Sequence, residues 1–294
     1  MKSLLSIFIS LLICLSIEAA NKRALLIGVS DYPLHRTWVE GSWSQVHGTN
    51  DVSIIGQTLG QQGFKITKLL NKNATAANIR KALDKLAHEC KKGDLVYVQF
   101  SGHGQAYEDL SGDEADGGDE AIIPYDAMMH YKKGVYEGAN HILDDELEKF
   151  LTTIRTKVGK EGFVYVVLDA CHMGGASRGD EQEEDEIFVR GTDKGFSPHG
   201  KKYIPRIDRR GNMKVSSKGT SLGNICILEA CRAYQTNSEI KEGGKYYGPL
   251  TYYINKHLTH NKLTTNTSWT ETVRSMMNKD KRLIKQNMVV ENSF

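Results

Sequence analysis

Charge of one sign is missing from this chain. Its 38 basic and 36 acidic residues leave a formal net charge of +2, and the two signs are intermixed along most of the sequence. A nucleic-acid surface needs a one-sided basic field, so that class of partner is excluded. Cysteine is scarce as well, with five in 294 residues. Exported domains held together by disulfides carry more, at tighter spacing, in shorter chains. No Gly-x-Ser-x-Gly elbow of an α/β hydrolase occurs, no internal repeat is evident, and DEADGGDE (113–120) lacks the spacing of an EF-hand. What is present is ordinary: 39% hydrophobic and 25% charged residues, enough for one large α/β domain with a sizeable core.

The one long apolar run lies at the start. Lys2 precedes LLSIFISLLICLSI (4–17), and Glu18, Ala19 and Ala20 follow. A positive charge, a short apolar stretch and small residues at its end make a secretory signal, so residues 1–20 are expected to be removed on export. The run is short for a membrane span and no second one follows, which predicts no stable insertion afterwards, a retained anchor being the alternative reading. Ile13 before Cys14 stands where lipid attachment would need a small residue. Four cysteines then remain in residues 21–294. Cys90, Cys226 and Cys231 lie in or beside apolar runs and read as core thiols, while Cys171 does not.

Apolar runs bounded by turn residues predict buried strands at 23–30, 64–70, 94–100, 163–169 and 224–229. Helical spacing predicts helices at 50–60, after Thr75, at 144–154, 248–258 and 268–278. Alternation of the two implies right-handed crossovers and a mostly parallel sheet flanked by helices on both faces, a three-layer α/β/α fold. Residues 174–222 break the pattern. They show no element, open with DEQEEDE (180–186), and continue with basic residues from Arg190 to Lys218. A loop of that length is functional or disordered.

Active sites in such sheets gather beyond the carboxyl ends of the strands. SGHG (101–104) follows the third strand and ACHMGG (170–175) the fourth. Thiol chemistry needs a cysteine able to lose its proton and a base beside it. Cys171 is therefore the candidate nucleophile, expected to lie exposed on its loop, and His103 the candidate base. Gly104 lets the backbone approach a substrate carbonyl, and its N–H with that of Cys171 is a candidate oxyanion hole.

FSGHG (100–104) and LDACHMGG (168–175) resemble the histidine and cysteine boxes of the metacaspases and of their bacterial relatives, the orthocaspases. RALLIGVSDYP (23–33), GTNDV (48–52), GDEAIIPYD (118–126), ILDDEL (142–147), LEACRAYQTNSE (228–239) and YYGPLTYYI (246–254) follow in the same order. The resemblance covers essentially all of residues 21–294. It implies the caspase–hemoglobinase fold, with a larger part at about 21–175, a loop at about 176–222 and a smaller part at about 223–294 meeting in one domain. It also implies a Cys171–His103 dyad that cuts after arginine or lysine, and a monomer whose partner is a peptide or protein substrate.

The acids of the family's specificity pocket fall on Asp51 and Asp169, and Ser101 maps to the pocket wall. A buried carboxylate facing a cation makes a charge-assisted pair. Asp169 reads equally as a loop cap and Asp51 as a helix-start acid, and both roles can coexist. No cofactor is needed for the chemistry. The resemblance implies a calcium site at Asp119, Asp144 and Asp145, but the fourth acid has no clean counterpart: Arg178 stands at its offset and Asp180 is the nearest acid. Asp144 and Asp145 are also ordinary acids of a first helical turn. The basic residues of the 174–222 loop are ones this enzyme would cut, which predicts self-processing there. Rival readings are a clostripain-like or legumain-like peptidase with a different pocket, and an inactive protein on the same scaffold.

Overall fold

The computed structural model describes residues 20–33, 42–112, 117–171, 187–204 and 221–293. The apolar run 4–17, the acidic run 180–186 and Asp180 lie outside them.

A six-stranded sheet runs through the centre. β1 (Lys22–Gly28) pairs in parallel with β2 (Lys65–Leu70) on one side and with β3 (Leu95–Ser101) on the other. Two further strands meanwhile form a separate small sheet: β4 (Gly104–Glu108) and β5 (Gly118–Ile122) are antiparallel, and β6 (Ile142–Leu143) extends them. β7 (Phe163–Asp169) pairs in parallel with β3, and β8 (Asn224–Glu229) with β7. β9 (Ile240–Glu242) and β10 (Lys245–Tyr247) form a hairpin. Its Gly243 and Gly244 both have positive φ, as a two-residue hairpin turn requires. β11 (Val289–Asn292) closes the edge beside β8, antiparallel to it.

The alternation of strand side chains sorts the core into two layers. Leu25, Ile27, Val96, Val98, Val164 and Val166 face α2 (Ala76–Glu89) and α3 (Asp144–Val158), where Ile79, Leu83, Leu147 and Leu151 meet them. Ala24, Leu26, Tyr97, Tyr165 and Val167 face α1 (Gly48–Gln61), α4 (Pro249–Leu258) and α5 (Trp269–Lys279). Both faces of the central strands are thus buried, which is why those strands read as unbroken apolar runs rather than alternating ones. The predicted three-layer α/β/α arrangement is what forms, and no described helix is long and apolar enough to cross a membrane.

Candidate active site

Ser101 at the end of β3 pairs with Asp169 at the end of β7. His103 and Cys171 each lie two residues beyond that pair, so neighbouring strands deliver them to the same edge of the sheet. Gly102 N–H donates across to Asp169 O at 3.4 Å. His103 is held on every side. Its N–H donates to the Tyr32 hydroxyl at 3.0 Å, which donates in turn to Ile123 O, and its ring lies 5.1 Å from that of Tyr32 and 5.2 Å from Trp43.

The ring's tautomer follows from its neighbour. His103 Nε2 lies 2.8 Å from Ser44 O, and a carbonyl can only accept, so Nε2 carries the proton. Nδ1 is then the basic nitrogen, and it is buried with no hydrogen bond. Burial pushes the pKa of His103 down to about 4, against a smaller upward pull from Ser44 O. The imidazole is neutral at pH 7 and able to take a proton.

Cys171 is not exposed as its glycine-flanked loop suggested. It is fully buried, and its thiol donates to Gln235 O at 2.9 Å. The Cys231 thiol reaches the same carbonyl at 3.6 Å. The cover is the chain's own segment around Arg190. Arg190 O accepts from Cys171 N–H at 2.9 Å and from Gly104 N–H at 3.1 Å. The two donors expected to form an oxyanion hole therefore converge on one peptide carbonyl.

The side chain of that residue fills the neighbouring pocket. Arg190 is completely buried, with Nη1 2.6 Å from Asp51 Oδ2, 3.0 Å from Asp169 O and 3.5 Å from Asp169 Oδ1. On its other side, Glu239 Oε1 lies 3.0 Å from Nε and 2.9 Å from Nη2. Burial alone would lower the guanidinium's pKa, but Asp51, Glu239 and Asp169 outweigh it and hold it above its ordinary range. Burial pushes Asp51 up to about 7, with Arg190 opposing and Asp169 and Glu239 reinforcing. Three buried carboxylates without a cation would be strongly unfavourable. Here Arg190 supplies it.

Both acids also bond backbone at the start of α4, whereas the sequence predicts Asp51 to serve its own helix and Asp169 a neighbouring loop. Asp51 Oδ1 accepts from Gly248 N–H at 3.0 Å, and Asp169 Oδ2 accepts from the N–H and hydroxyl of Thr251, each at 2.7 Å. They thus satisfy donors at the start of α4. Ser101 is buried beside them: its Oγ accepts from Gln99, which also donates to Thr251.

The segment carrying Arg190 is bound like an added strand. Arg190 N–H donates to Asn237 O at 3.0 Å and Glu239 N–H to Phe188 O at 2.9 Å, in an antiparallel bridge of Val189 with Ser238. Downstream, Phe196 N–H donates to Ala106 O and Glu108 N–H to Phe196 O. Glu108 accepts from Ser197 Oγ at 2.5 Å and meets His199 and Lys201 at 2.8 and 3.0 Å. Those partners pull its pKa down to about 2 although burial acts upward.

The acids expected to hold calcium lie on other elements. Asp119 belongs to β5, and Asp144 and Asp145 begin α3 immediately after β6. Among the described residues no group of three or more acids, histidines or cysteines is arranged to hold a metal ion. No step of the chemistry below uses a metal ion. Sequence reading did not single out Arg190 or Glu239. Glu239 closes the motif LEACRAYQTNSE, but nothing local marks it as a pocket residue.

A buried thiol and a neutral imidazole thus stand beyond adjacent strand ends, beside a carboxylate-lined pocket. The chain belongs to the caspase-domain family, whose model matches residues 21–293. It is 27% identical over 273 residues to Metacaspase-1B of Aspergillus fumigatus, covering 81% of this chain and 62% of that relative. Metacaspase-2 of Arabidopsis thaliana is 30% identical over 188 residues, 60% of this chain and 37% of its own length. The chain thus spans at most about three fifths of these relatives. A crystal structure of a protein from Geobacter sulfurreducens matches with a TM-score of 0.60 at 21% identity, covering 92% of this chain and 93% of that one, and shows the same fold.

Proposed function

We propose that this chain is an endopeptidase that cleaves after arginine or lysine through Cys171 and His103, and that Arg190–Gly191 is the first bond it cuts. One observation carries the reading: Arg190 has its guanidinium among Asp51, Asp169 and Glu239 while its carbonyl oxygen accepts from Gly104 and Cys171. A substrate arginine bound for attack would make these same two sets of contacts.

The chemistry follows from the donors present. The Cys171 thiol leaves Gln235 O and gives its proton to His103 Nδ1, whose orientation Ser44 O fixes. The thiolate adds to the Arg190 carbonyl carbon, and the charge developing on oxygen is met by two N–H groups already aimed at it. The C–N bond breaks as Nδ1 passes the proton to the Gly191 nitrogen, leaving a thioester. Water then gives a proton to Nδ1 and attacks the thioester. Arg190 leaves with a carboxyl terminus and the thiol is restored.

The test is the mass of the purified 21–294 chain after incubation. Fragments ending at Arg190 and beginning at Gly191 are expected, and neither should form in Cys171→Ala or Arg190→Gln. Fluorogenic peptides ending in Arg or Lys should be hydrolysed, and those ending in Asp or Asn should not. Hydrolysis restricted to Asp or Asn peptides, or persisting in Cys171→Ala, overturns the reading.

A further inference from the structure

Phe188 stands two residues before Arg190, and alternation along an extended strand turns both side chains to the same side. Its ring enters an aromatic corner. The His47 ring meets it edge-on at 4.7 Å, the Tyr246 ring lies 4.7 Å away at 67°, and His47 and Tyr246 stack on each other at 5.1 Å. Such edge-on and stacked contacts are attractive beyond the area they bury.

The corner is rigidly built and wired to the arginine pocket. Glu239 accepts from His47 N–H at 2.6 Å and meets His47 Nδ1 at 2.5 Å through its second oxygen. The first oxygen of that carboxylate is the one that holds Arg190 Nε and Nη2. Tyr246 lies in the β9–β10 hairpin, where Lys241 Nζ covers its ring at 5.4 Å and Asn50 bonds its carbonyl. A single buried carboxylate thus sets the position of the guanidinium and of one aromatic wall.

We propose that His47 and Tyr246 form a subsite for an aromatic side chain two positions before the cleaved arginine or lysine, so that preferred substrates read aromatic-x-Arg. This rests on Arg190 marking the residue after which the enzyme cuts. Residues 188–190 are then a bound substrate segment whose own sequence, Phe-Val-Arg, reports what the cleft accepts. Val189 is opposite Ser238 in the bridge, and alternation turns its side chain to the other side from those of Phe188 and Arg190. Main-chain pairing with residues 237–239 supplies sequence-independent affinity, and the two pockets supply choice.

The experiment compares acetylated Phe-Val-Arg, Tyr-Val-Arg, Ala-Val-Arg and Glu-Val-Arg fluorogenic amides on the self-cleaved enzyme and on Arg190→Ala, whose pocket is vacated. The aromatic peptides are expected to have kcat/KM at least about tenfold above the Ala and Glu peptides, from the area an aromatic ring buries. In Tyr246→Ala the ratio of Phe to Ala peptide should collapse towards one, and in Tyr246→Phe it should persist. In parallel, Phe188→Ala should slow self-cleavage at Arg190 while Phe188→Trp sustains it. Equal rates on all four peptides overturn the aromatic subsite and leave cleavage after arginine intact. No release from any of the four overturns both readings.

Discussion

Gly248 precedes α4 with φ of −64°, a conformation any residue adopts, yet a Cβ there would lie 2.3 Å from Asp169 Oδ2 and 2.4 Å from Arg190 Nη1. Backbone strain therefore does not dictate glycine at this position; the volume of the pocket does. Gly248→Ala should fold, yet lose at least about tenfold in kcat/KM on arginine peptides, since a contact that close must displace the guanidinium. Matched melting curves with unchanged kinetics would contradict this. Asp51 makes a different prediction. Burial holds it near pH 7, so it is a carboxylate above that pH and neutral below it. The KM for arginine peptides should rise as pH falls below about 7, and Asp51→Asn should remove that dependence. At this scale the sequence revealed the chemistry but not the partners. Cys171 and His103 were legible because each stands beside glycine at a strand end. Ser44, Tyr32 and Glu239, which fix the ring and the pocket, come from distant loops where nothing local distinguishes them.

The start of α4 receives Asp51 and Asp169 together, at Gly248 and Thr251. Capping carboxylates satisfy free N–H groups and meet the positive end of the helix dipole. Asp169→Asn should cost about 1 kcal/mol of stability, measurable in urea with Cys171→Ala as background so that self-cleavage does not interfere. A stability loss that persists when Arg190→Ala is added to that background separates the capping role from the contact with the guanidinium. The helices and central strands were legible to within a few residues because each carries the period its burial demands. β4 to β6, the hairpin and β11 were not. They are short, lie among Gly and Asp, or pair at an edge, so tertiary contacts rather than a repeating pattern decide them. The stretch 187–204 read as plain loop for the same reason: its backbone pairing is made to distant residues, at Asn237–Glu239 and at Ala106–Glu108.

Acid should loosen the molecule as a whole. His141 is buried between Tyr136 OH and Gln105 Oε1, each at 2.9 Å, and burial lowers its pKa to about 3, as it lowers that of His103 to about 4. An unfolded histidine takes its proton near pH 6.5. A depressed folded pKa means the stability from these two groups is complete above pH 6.5 and is lost as pH falls towards 4. The urea midpoint should fall over that window, and His141→Gln, which cannot be protonated, should show a shallower fall. A wild-type midpoint level from pH 7 to 4 would refute the argument.

The contacts on either side of Arg190 also determine what a cut does to the body. Upstream, residues 188–190 are bonded to 237–239; downstream, Phe196 is bonded to β4 and Ser197, His199 and Lys201 gather on Glu108. Once cut, residues 188–190 can leave the cleft, while β7 still pairs with β8 and Phe196 with β4, so the product should run as two chains in denaturant and as one particle without it. Because every molecule already contains one bond seated in its own cleft, the half-time of that first cut should be the same at nanomolar as at micromolar protein. It is a clock that dilution does not slow.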